Sequence, residues 1–516
     1  MTDSPQEPPA RRPPIPEGRA AAVIVLVAFA ARLYLLLSTH RTAEDFYITL
    51  RYAENIARGQ GFVYNAGQHV LGTTTPLYTL YLALAHWLGL NATLCGQLLN
   101  VVADSATCYA LCRLARAVIG PSASGGMPGL VAAAIVAVWP PSLYWSISGM
   151  ETGLVTLCGT AALAATAERR PYALAVWSAL LVLLRIDGLL LAAVCFGWLA
   201  VWGHSTTEAP RHRGRVGRAF GLFIVLLAPW VVFATVYFGS PIPTSLIAKL
   251  HVYGWQSPGL LPNLRPFARD MTRNGLYWIL LVGAIPSVFV AWRQTGLRPA
   301  LVWIILYYGG MAFSKSFLFG WYYVPPAPIY ILISIQGWVW LGSLVVHGRV
   351  GSRLCYAAVA IVLLAGIVLL PKQRALIAAD QRQDEALLKS TGLLLAKMIA
   401  PGETLMLEPI GWIGYYSHAR ILDAVGLVSP DVIPYFRQGA VSPYLDILHD
   451  LRPEWALLRT GEYDQAARAA VPPDYRLPAS YEIVLEIPNP AAPRNRPAFY
   501  LLRRRTTPGP GSQPLH

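Results

Sequence analysis

Two adjacent carboxylates, Glu44 and Asp45, follow the first long apolar segment of the chain. Two further acids, Glu151 and Asp187, each begin a short polar turn between apolar segments. An ionisable group beside a bilayer is costly, so its presence there indicates chemistry or a pairing partner. Carboxylates that converge from separate segments can hold a divalent cation, and one of them can act as a general base. The adjacent pair is therefore the candidate base, and the pair with Glu151 is the candidate ligand set for Mg²⁺ or Mn²⁺.

Each of these acids also has a structural explanation. The adjacent pair could favour the start of the helix that follows it, because carboxylates stabilise helix N-termini. Glu151 could begin a helix in the same way, and Asp187 could pair with Arg185. Asp104 stands with Asn100 in otherwise apolar sequence, and we predict that it is a buried hydrogen-bond partner between helices.

Basic and aromatic residues supply the complementary charge. Lys249 and His251 follow a proline-punctuated turn, and Lys315 precedes Tyr322 in an aromatic stretch. A lysine ammonium with neighbouring hydroxyl groups suits a phosphate or pyrophosphate at the depth of lipid headgroups. Tyr, Trp and Lys are also enriched at membrane interfaces without any binding role, and that is the alternative explanation.

The composition excludes a soluble enzyme. Of 516 residues, 55% are hydrophobic and 13% are charged, whereas an ordinary soluble domain is about 25% charged. Only 12 of the 27 acidic residues precede position 371, so a long membrane part precedes a soluble part. The excess of 41 basic over 27 acidic residues orients the chain in the bilayer and does not indicate nucleic-acid binding.

The elements that position these side chains are apolar runs long enough for membrane-spanning helices. Eleven runs lie near residues 20–38, 94–118, 129–147, 153–167, 171–186, 188–203, 219–238, 276–292, 299–313, 326–346 and 353–370. We predict about eleven spans, with a cytoplasmic N-terminus, because the arginine clusters between the runs then fall inside. A twelfth stretch, 74–90, is predicted to be a re-entrant or interfacial helix on the outer face.

We predict four parts of the chain. They are a disordered cytoplasmic tail (1–19), a transmembrane domain (20–370) with an outer loop (39–93), an extracytoplasmic α/β domain (371–505) and a disordered tail (506–516). The α/β prediction rests on a helical run at 379–400 and strand-like runs TLMLEP, WALLR, YEIVLEI and AFYLLRR. Candidate contacts to an acceptor in this domain are Trp412, Tyr415, Tyr416 and Asp423, although the aromatics could instead form its core.

The stretch AEDFYITLRYAENIARGQGFVYNAGQHVLGTTTPLY resembles the first outer loop of bacterial GT-C glycosyltransferases. The branch it resembles contains the mycobacterial terminal arabinofuranosyltransferases. Downstream, SGMET, RIDG, YFGSPIPTSLIAK and EPIGWIGYYSHARILDAVGLVSP are similar to further blocks of that family in the same order. The resemblance covers roughly residues 20–435.

The resemblance implies a multi-pass enzyme of cell-envelope biogenesis in the bacterial plasma membrane. Such an enzyme moves a sugar, a pentofuranose or a hexose, from a polyprenyl-phosphate donor to a glycan, lipid or protein acceptor outside the membrane. The family's catalytic acid falls on Glu44 and Asp45, and its phosphate-side lysine on Lys249. Glu151, Asp187 and Arg51 fall in supporting positions, although RIDG departs from the commoner Arg-Pro-Asp.

One carboxylate base suffices for a single displacement with inversion, provided that the phosphate charge is neutralised. Asp45 is our choice of base, because its side chain is shorter and lies nearer the following helix; Glu44 is then its partner or a metal ligand. The resemblance leaves open which of the two acts. Two other functions also fit the sequence: a lipid-linked sugar flippase or transporter, and a non-catalytic subunit of polysaccharide assembly.

Overall fold

The protein is largely helical. The computed structural model describes residues 17–119, 126–202, 209–253, 275–293, 295–313, 319–345, 349–437, 440–490 and 496–505. Nearly all of the predicted disordered tails lie outside these residues, as does Lys315; residues 17–19 are the first residues of a helix. The helices before the sheet region are α1 Glu17–Thr39, α2 Phe46–Ala57, α3 Pro76–Trp87, α4 Ala92–Ile119, α5 Met127–Val138, α6 Pro140–Ser146, α7 Thr152–Ala167, α8 Pro171–Leu184, α9 Gly188–Trp202, α10 Ala209–Phe238, α11 Thr244–Ala248, α12 Gly275–Arg293, α13 Arg298–Phe313, α14 Ala327–Ser343 and α15 Arg349–Asp384.

Each of the eleven predicted apolar runs coincides with a helix, and the run at 129–147 is a bent pair, α5 and α6, at 58°. Among the described residues, three helical stretches are long and apolar enough to cross a bilayer, or four if the bent pair is one span. The three are Gly18–Thr39, His212–Phe238 and Val350–Met398. The other runs lie in helices outside these three, among them the 28-residue α4 and several shorter ones, so the number of eleven stays a prediction.

Helix α3 is the predicted interfacial element. Its 12 residues extend about 18 Å, much less than the ~30 Å hydrocarbon core of a bilayer. Its outward face carries Leu84 and Trp87, which are exposed, while Tyr78 and Leu82 are buried against the helices beneath. An exposed tryptophan at the end of a short apolar helix is typical of the membrane interface.

The C-terminal region, defined here as residues 390–505, contains a five-stranded mixed sheet. Its elements are α16 Ser390–Met398, β1 Thr404–Leu407, α17 Trp412–Ser417, β2 Arg420–Asp423, α18 Pro443–Leu451, β3 Trp455–Arg459, α19 Thr460–Ala467, α20 Leu477–Ser480, β4 Tyr481–Pro488 and β5 Pro497–Arg504. The strand order is β2-β1-β3-β5-β4. Strand β1 pairs in parallel with β2 and β3, and β5 pairs antiparallel with β3 and β4.

The four predicted strands are present, and β2 was missed. Strand β2 has the sequence RILD, which is too short to show a clear alternating pattern. The predicted domain boundary at 371 lies inside α15, whose helix continues through Pro371. A π-helical turn, Glu385–Lys389, then joins α15 to α16, in agreement with the predicted helix at 379–400. The division into domains stays a prediction.

A buried ion pair joins four helices of the membrane part. Arg32 of α1 donates from Nε to Asp104 Oδ2 of α4 at 2.7 Å, and both side chains are essentially inaccessible. The same guanidinium donates to Ala137 O of α5 at 2.8 Å and to Ser142 Oγ of α6 at 2.8 Å. The structural role predicted for Asp104 is therefore confirmed, and the sequence analysis had missed Arg32 as its partner.

We expect Asp104→Ala to destabilise the protein by about 3–5 kcal/mol, because Arg32 would keep a buried charge without its counter-ion. The free energy of unfolding in detergent measures this. The matched control is Asp464→Ala, which breaks the exposed pair with Arg468 and should cost less than about 1 kcal/mol. Equal effects of the two substitutions would contradict a stabilising role for the buried pair.

Candidate active site

A polar cavity lies where one end of the membrane helices meets the C-terminal region; its empty volume is about 570 Å³, of which water can occupy about 60 Å³. We call it the central cavity. Its wall comes from the start of α2, the threonine-rich turn before α3, the turns before α7 and after α8, the α11 segment, the 3₁₀ turn Gly320–Tyr323 and the turn after β2. The charged and polar lining residues are Asp45, Thr49, Thr73, Thr74, Thr75, Tyr78, Glu151, Arg185, Ser245, Lys249 and Tyr322.

Asp45 occupies the position just before α2, but its side chain makes no capping hydrogen bond. Asp45 can therefore stabilise the start of α2 through its charge but not through a capping hydrogen bond. Asp45 lines the central cavity, whereas Glu44 does not. The Glu44 carboxylate accepts a hydrogen bond from the backbone N–H of Gly411 in the C-terminal region. The two adjacent acids thus have different surroundings.

Burial raises the pKa of Glu44 well above its ordinary value. The neighbouring carboxyl of Asp45 raises this pKa further, and the hydrogen bond from Gly411 only partly opposes the rise. Two adjacent carboxyl groups seldom ionise together, because the second negative charge is repelled by the first. The raised pKa favours the protonated form of Glu44, and Asp45 is the member of the pair that faces the cavity.

Lys249 lies on the wall of the central cavity and of a second, larger one. Burial lowers the pKa of its ammonium group, but Tyr322 and Asp45 more than offset this effect, so the net shift is upward. The Nζ atom lies 5.4 Å from the centre of the Phe319 ring. Lys249 is therefore a half-buried cation that faces a carboxylate and a phenol.

Arg185, in the turn between α8 and α9, is a second cation of this site and is buried. Its Nε and Nη2 atoms donate to the two oxygens of Asp187 at 3.2 and 2.9 Å. Its Nη1 lies 3.8 Å from Glu151 Oε1, and its guanidinium carbon lies 4.6 Å from the centre of the Tyr322 ring. The supporting acids Glu151 and Asp187 are thus placed as counter-ions that orient one arginine.

The sequence analysis missed Arg185 as a site residue. A usable signal was present, because Arg185 lies directly at the end of an apolar run on the predicted outer face, whereas the arginine clusters at the ends of the other runs fall mostly on the inner one. Ser245 was also missed. Its buried hydroxyl lines the central cavity and has no hydrogen-bond partner among the described residues. An unsatisfied buried hydroxyl in a cavity wall indicates a place for a polar ligand.

The second cavity has about 1140 Å³ of empty volume and is mostly apolar. Leu190, Leu246, Leu250, Leu306 and Met311 are the main aliphatic residues of its wall. It shares Thr74, Arg185, Lys249 and Tyr322 with the central cavity. We call it the apolar cavity. Its junction with the central cavity therefore carries two cations and a phenol.

Two predicted phosphate ligands are not placed at this junction. His251 is exposed, lines neither cavity and has its Nδ1 atom 2.9 Å from the carbonyl oxygen of Ile247. Lys315 lies outside the described residues. Of the four residues proposed for the phosphate, the structure brings Lys249 and Tyr322 together.

Arg51 lies away from both cavities and fastens the first outer loop to the C-terminal region. It donates to the carbonyl oxygens of Tyr64 at 3.0 Å, Gly414 at 2.5 Å and Ala419 at 2.8 Å. Its guanidinium also lies 4.3 Å from the centre of the Tyr64 ring. Arg51 thus supports the site through the backbone and does not face it.

The aromatic candidates for acceptor contacts form a cluster between α2 and α17. Trp412 is 1% exposed and lies 4.4 Å, between ring centres, from Tyr47. The hydroxyls of Tyr47 and Tyr416 are 3.4 Å apart, and Tyr415 lies 5.2 Å from Tyr47. These contacts agree with the alternative that the aromatics form packed core, and none of these residues lines the central cavity.

Asp423, the fourth acceptor-side candidate, is fully buried at the end of β2. Its two carboxyl oxygens accept from the backbone N–H groups of Val425 and Val428 at 2.9 and 3.0 Å. Burial raises its pKa to about 7, against the opposing effect of these hydrogen bonds. Asp423 therefore shapes a turn, and Leu427 of that turn lines the central cavity.

The predicted ligand set for Mg²⁺ or Mn²⁺ does not come together. Among the residues that the structure describes, there is no group of three His, Cys, Asp or Glu side chains placed to hold a metal ion. Glu44 is engaged by Gly411, and Glu151 faces Arg185. A divalent cation needs several oxygen ligands around one point. For Mg²⁺ these ligands can be one or two carboxylates together with waters and a substrate phosphate, so the cation stays a prediction and no step is routed through it.

The chain is similar in sequence or in fold to several enzymes that transfer sugars. Over 342 residues the chain is 24% identical to a terminal β-(1→2)-arabinofuranosyltransferase of Mycobacterium tuberculosis. The match covers 60% of this chain, which spans half of the length of that relative. Residues 375–503 match a protein family described as a domain of unknown function, DUF8728.

Two solved structures share the fold. ArnT from Cupriavidus metallidurans, in a crystal structure with undecaprenyl phosphate, superposes with a TM-score of 0.57 at 12% identity, over 94% of this chain and 97% of that chain. The Archaeoglobus fulgidus oligosaccharyltransferase, solved with zinc and sulfate, superposes with a TM-score of 0.55 at 13% identity, over 87% of this chain and 70% of that chain. The chain therefore has the fold of the GT-C glycosyltransferases, a polytopic membrane architecture, here with a small C-terminal α/β region.

Proposed function

We propose that the protein is a membrane glycosyltransferase that takes a sugar from a polyprenyl-phosphate donor and transfers it to a hydroxyl group of an extracytoplasmic acceptor. The observation that carries this proposal is the junction of an apolar cavity with a polar one at two cations, the buried Arg185 and the half-buried Lys249. A lipid-linked sugar phosphate has the same order of parts: an apolar chain, an anion and a polar sugar. The structural neighbour with undecaprenyl phosphate supports this donor class.

The donor fits the junction in one orientation. Its polyprenyl chain lies in the apolar cavity against Leu246 and Leu306, and its phosphate lies between Lys249 and Arg185. The sugar then occupies the central cavity on the side of Asp45. Charge-assisted hydrogen bonds from a guanidinium and an ammonium are strong for phosphate, and burial strengthens them.

Asp45 acts as the general base in this proposal. It removes the proton from an acceptor hydroxyl, and the oxygen attacks the anomeric carbon on the face opposite the phosphate. The bond between the anomeric carbon and the phosphate oxygen breaks, and the electron pair leaves with the polyprenyl phosphate. Lys249 and Arg185 neutralise the negative charge that develops on the leaving group. A single displacement of this kind inverts the anomeric configuration.

Glu44 is a positioning residue in this scheme. The raised pKa of Glu44 favours its protonated form, and this scheme therefore assigns the role of base to Asp45, which faces the cavity. The hydrogen bond from Gly411 to Glu44 ties the loop that carries Asp45 to the C-terminal region. The curated relative transfers arabinofuranose, which supports a pentofuranose as the donor sugar; a hexose remains the alternative.

The flippase alternative has weaker support. Transporters place substrate-binding polar groups near the middle of the bilayer. In the described part of the membrane helices, the deep ionisable pair Arg32 and Asp104 is fully engaged with neighbouring helices. This pair has the character of a structural contact and not of a transport path.

We expect Asp45→Asn to lower the rate of transfer by about 10²- to 10⁴-fold, because it removes the proton acceptor while keeping the shape of the side chain. Donor binding should survive, since the amide leaves Lys249 and Arg185 in place. Glu44→Gln should cost much less, because glutamine imitates a protonated glutamate. Single-turnover transfer from polyprenyl-phosphate arabinofuranose in detergent measures both. An active Asp45→Asn with an inactive Glu44→Gln would reverse the two roles.

We expect Lys249→Ala to raise the KM for the donor and also to lower kcat, by about 2–4 kcal/mol in total, because the lysine neutralises the phosphate before and during bond breaking. His251→Ala is the matched control. It removes another basic side chain two residues away that is exposed and lines neither cavity, so its kinetics should equal those of the wild type. Normal KM and kcat in Lys249→Ala would exclude the phosphate role.

We propose that the first outer loop lies outside the plasma membrane and the N-terminus lies inside. In a variant without its native cysteines, Gln60→Cys should react with a membrane-impermeant thiol reagent in intact cells. Arg215→Cys, at the predicted inner face, should react only after the membrane is permeabilised. Both side chains are exposed in the protein, so burial does not interfere. The opposite labelling pattern would reverse the orientation.

A further inference from the structure

A separate cavity of about 700 Å³ lies in the C-terminal region, at the end of β3 and beside α19. We call it the distal cavity. Its polar and charged lining residues are Glu408, Tyr444, Arg459, Glu462 and Gln465, and Gly461 completes that wall. The space in it that water can occupy is about 310 Å³, at the lower end of the ~300–1,000 Å³ range of small-molecule sites in proteins. The reaction scheme above uses none of these residues.

The charged groups of this cavity are held by one another: Glu462 is buried and Glu408 mostly so, whereas the guanidinium of Arg459 is 50% exposed. Glu408 forms an ion pair with the guanidinium of Arg459. Glu462 accepts a hydrogen bond from the backbone N–H of Arg459 at 2.8 Å, which also begins helix α19. Burial raises the pKa of Glu462 to about 7, and it raises the pKa of Glu408 as well. The cavity wall thus combines preorganised carboxyl groups with a guanidinium and an amide.

The distal cavity adjoins the candidate active site through two short segments. Lys249 lines the central cavity, and Val252 of the same π-helical turn lines the distal one. Val425 lines the distal cavity, and Leu427 of the same turn lines the central one. Glu408 is also close enough to Asp45 for the two carboxyls to repel each other. A ligand in the distal cavity would therefore be a neighbour of the proposed base.

We infer that the distal cavity binds a neutral glycan portion of the acceptor, whose hydroxyl groups are recognised by Glu408, Arg459 and Gln465. This inference rests on the proposed function, since it supplies the acceptor of the same reaction. The residue types match a polyol, because carboxyl groups accept from sugar hydroxyls while guanidinium and amide groups donate to them.

The charge of the cavity favours an uncharged ligand. Arg459 is already compensated by Glu408, and Glu462 adds a further carboxyl group. An acidic sugar would bring a carboxylate next to two others, and like charges close together repel each other. A neutral sugar can form hydrogen bonds with both the donors and the acceptors of this wall without adding charge. It can also pack against the aromatic ring of Tyr444.

Gly461→Leu offers a direct test, because a Cβ added at Gly461 meets no atom within 4 Å and would project from the cavity wall. Leucine is also a better helix former than glycine, so α19 should persist. Ala467→Leu is the matched control, since Ala467 lies on the same helix, is exposed and does not line the cavity. Gln465→Ala is a second variant that only removes hydrogen bonds.

Binding of a neutral arabinofuranosyl pentasaccharide to the full chain in detergent is measured by titration calorimetry without donor. We expect Gly461→Leu to weaken it by at least about tenfold, and Gln465→Ala by a similar factor, as the loss of one or more hydrogen bonds predicts. Ala467→Leu should bind as the wild type does, and a polygalacturonate oligomer of the same length should bind more weakly.

Unchanged pentasaccharide binding in both Gly461→Leu and Gln465→Ala would overturn the inference, as would tighter binding of the acidic oligomer. A wild type that does not bind the pentasaccharide would overturn it as well. The two proposals fail in different assays. The titration tests the distal cavity, whereas the absence of transfer from every polyprenyl-phosphate donor would contradict the proposed function, whatever the titration shows. In an active enzyme, Gly461→Leu should raise the KM for the acceptor and leave the KM for the donor unchanged.

Discussion

The high cost of a buried charge beside a bilayer governs how this protein is built. A cation removed from water must find an anion or several hydrogen-bond acceptors, or it destabilises the fold. Arg32 meets this requirement with Asp104 and the carbonyl oxygens of α5, within the helix bundle. Arg185 meets it with Asp187 and Glu151 at one end of the helices.

The same constraint makes the central cavity receptive to an anion. Lys249 lies near the phenol of Tyr322 and is attracted by the carboxylate of Asp45. Among the described residues, no carboxylate forms a hydrogen bond with its ammonium group. Arg185 stands next to it with its own acids, so the junction can accept added negative charge. The threonine-rich turn and Ser245 add hydroxyl groups to the same wall. The proposed ligand, with one phosphate and an apolar chain, would bring a negative charge to the two cations and fill the apolar cavity.

The C-terminal region takes part in the site as well as packing on top of it. Tyr64 of the first outer loop donates to the carbonyl oxygen of Ile410 at 2.6 Å, and Arg51 donates to Gly414. Gly411 approaches Glu44 so closely that a Cβ there would clash with the Glu44 backbone. Glycine is therefore required at this position, and any shift of the C-terminal region would move the loop that carries Asp45. Glu408 of the distal cavity lies in the same turn as Gly411, which contacts Glu44. We therefore expect a ligand in the distal cavity to influence the position of the proposed base, Asp45.

The sequence by itself determined the helical membrane architecture, because hydrophobicity is encoded residue by residue and each apolar run became a helix. It also determined four of the five strands and pointed to Asp45, Glu151 and Lys249, because rare charges beside apolar runs stand out locally. Strand β2 was missed because its four residues carry too little pattern.

Only the tertiary structure shows which distant side chains contact each other and which are buried. It placed Arg185 between two acids, gave Arg32 its partner 72 residues away and moved Trp412 from the acceptor side into packed core. It also separated Glu44 from the cavity and brought Glu408 and Glu462 to one wall. Burial and through-space distance depend on how segments far apart in the chain pack together, and no local pattern records them.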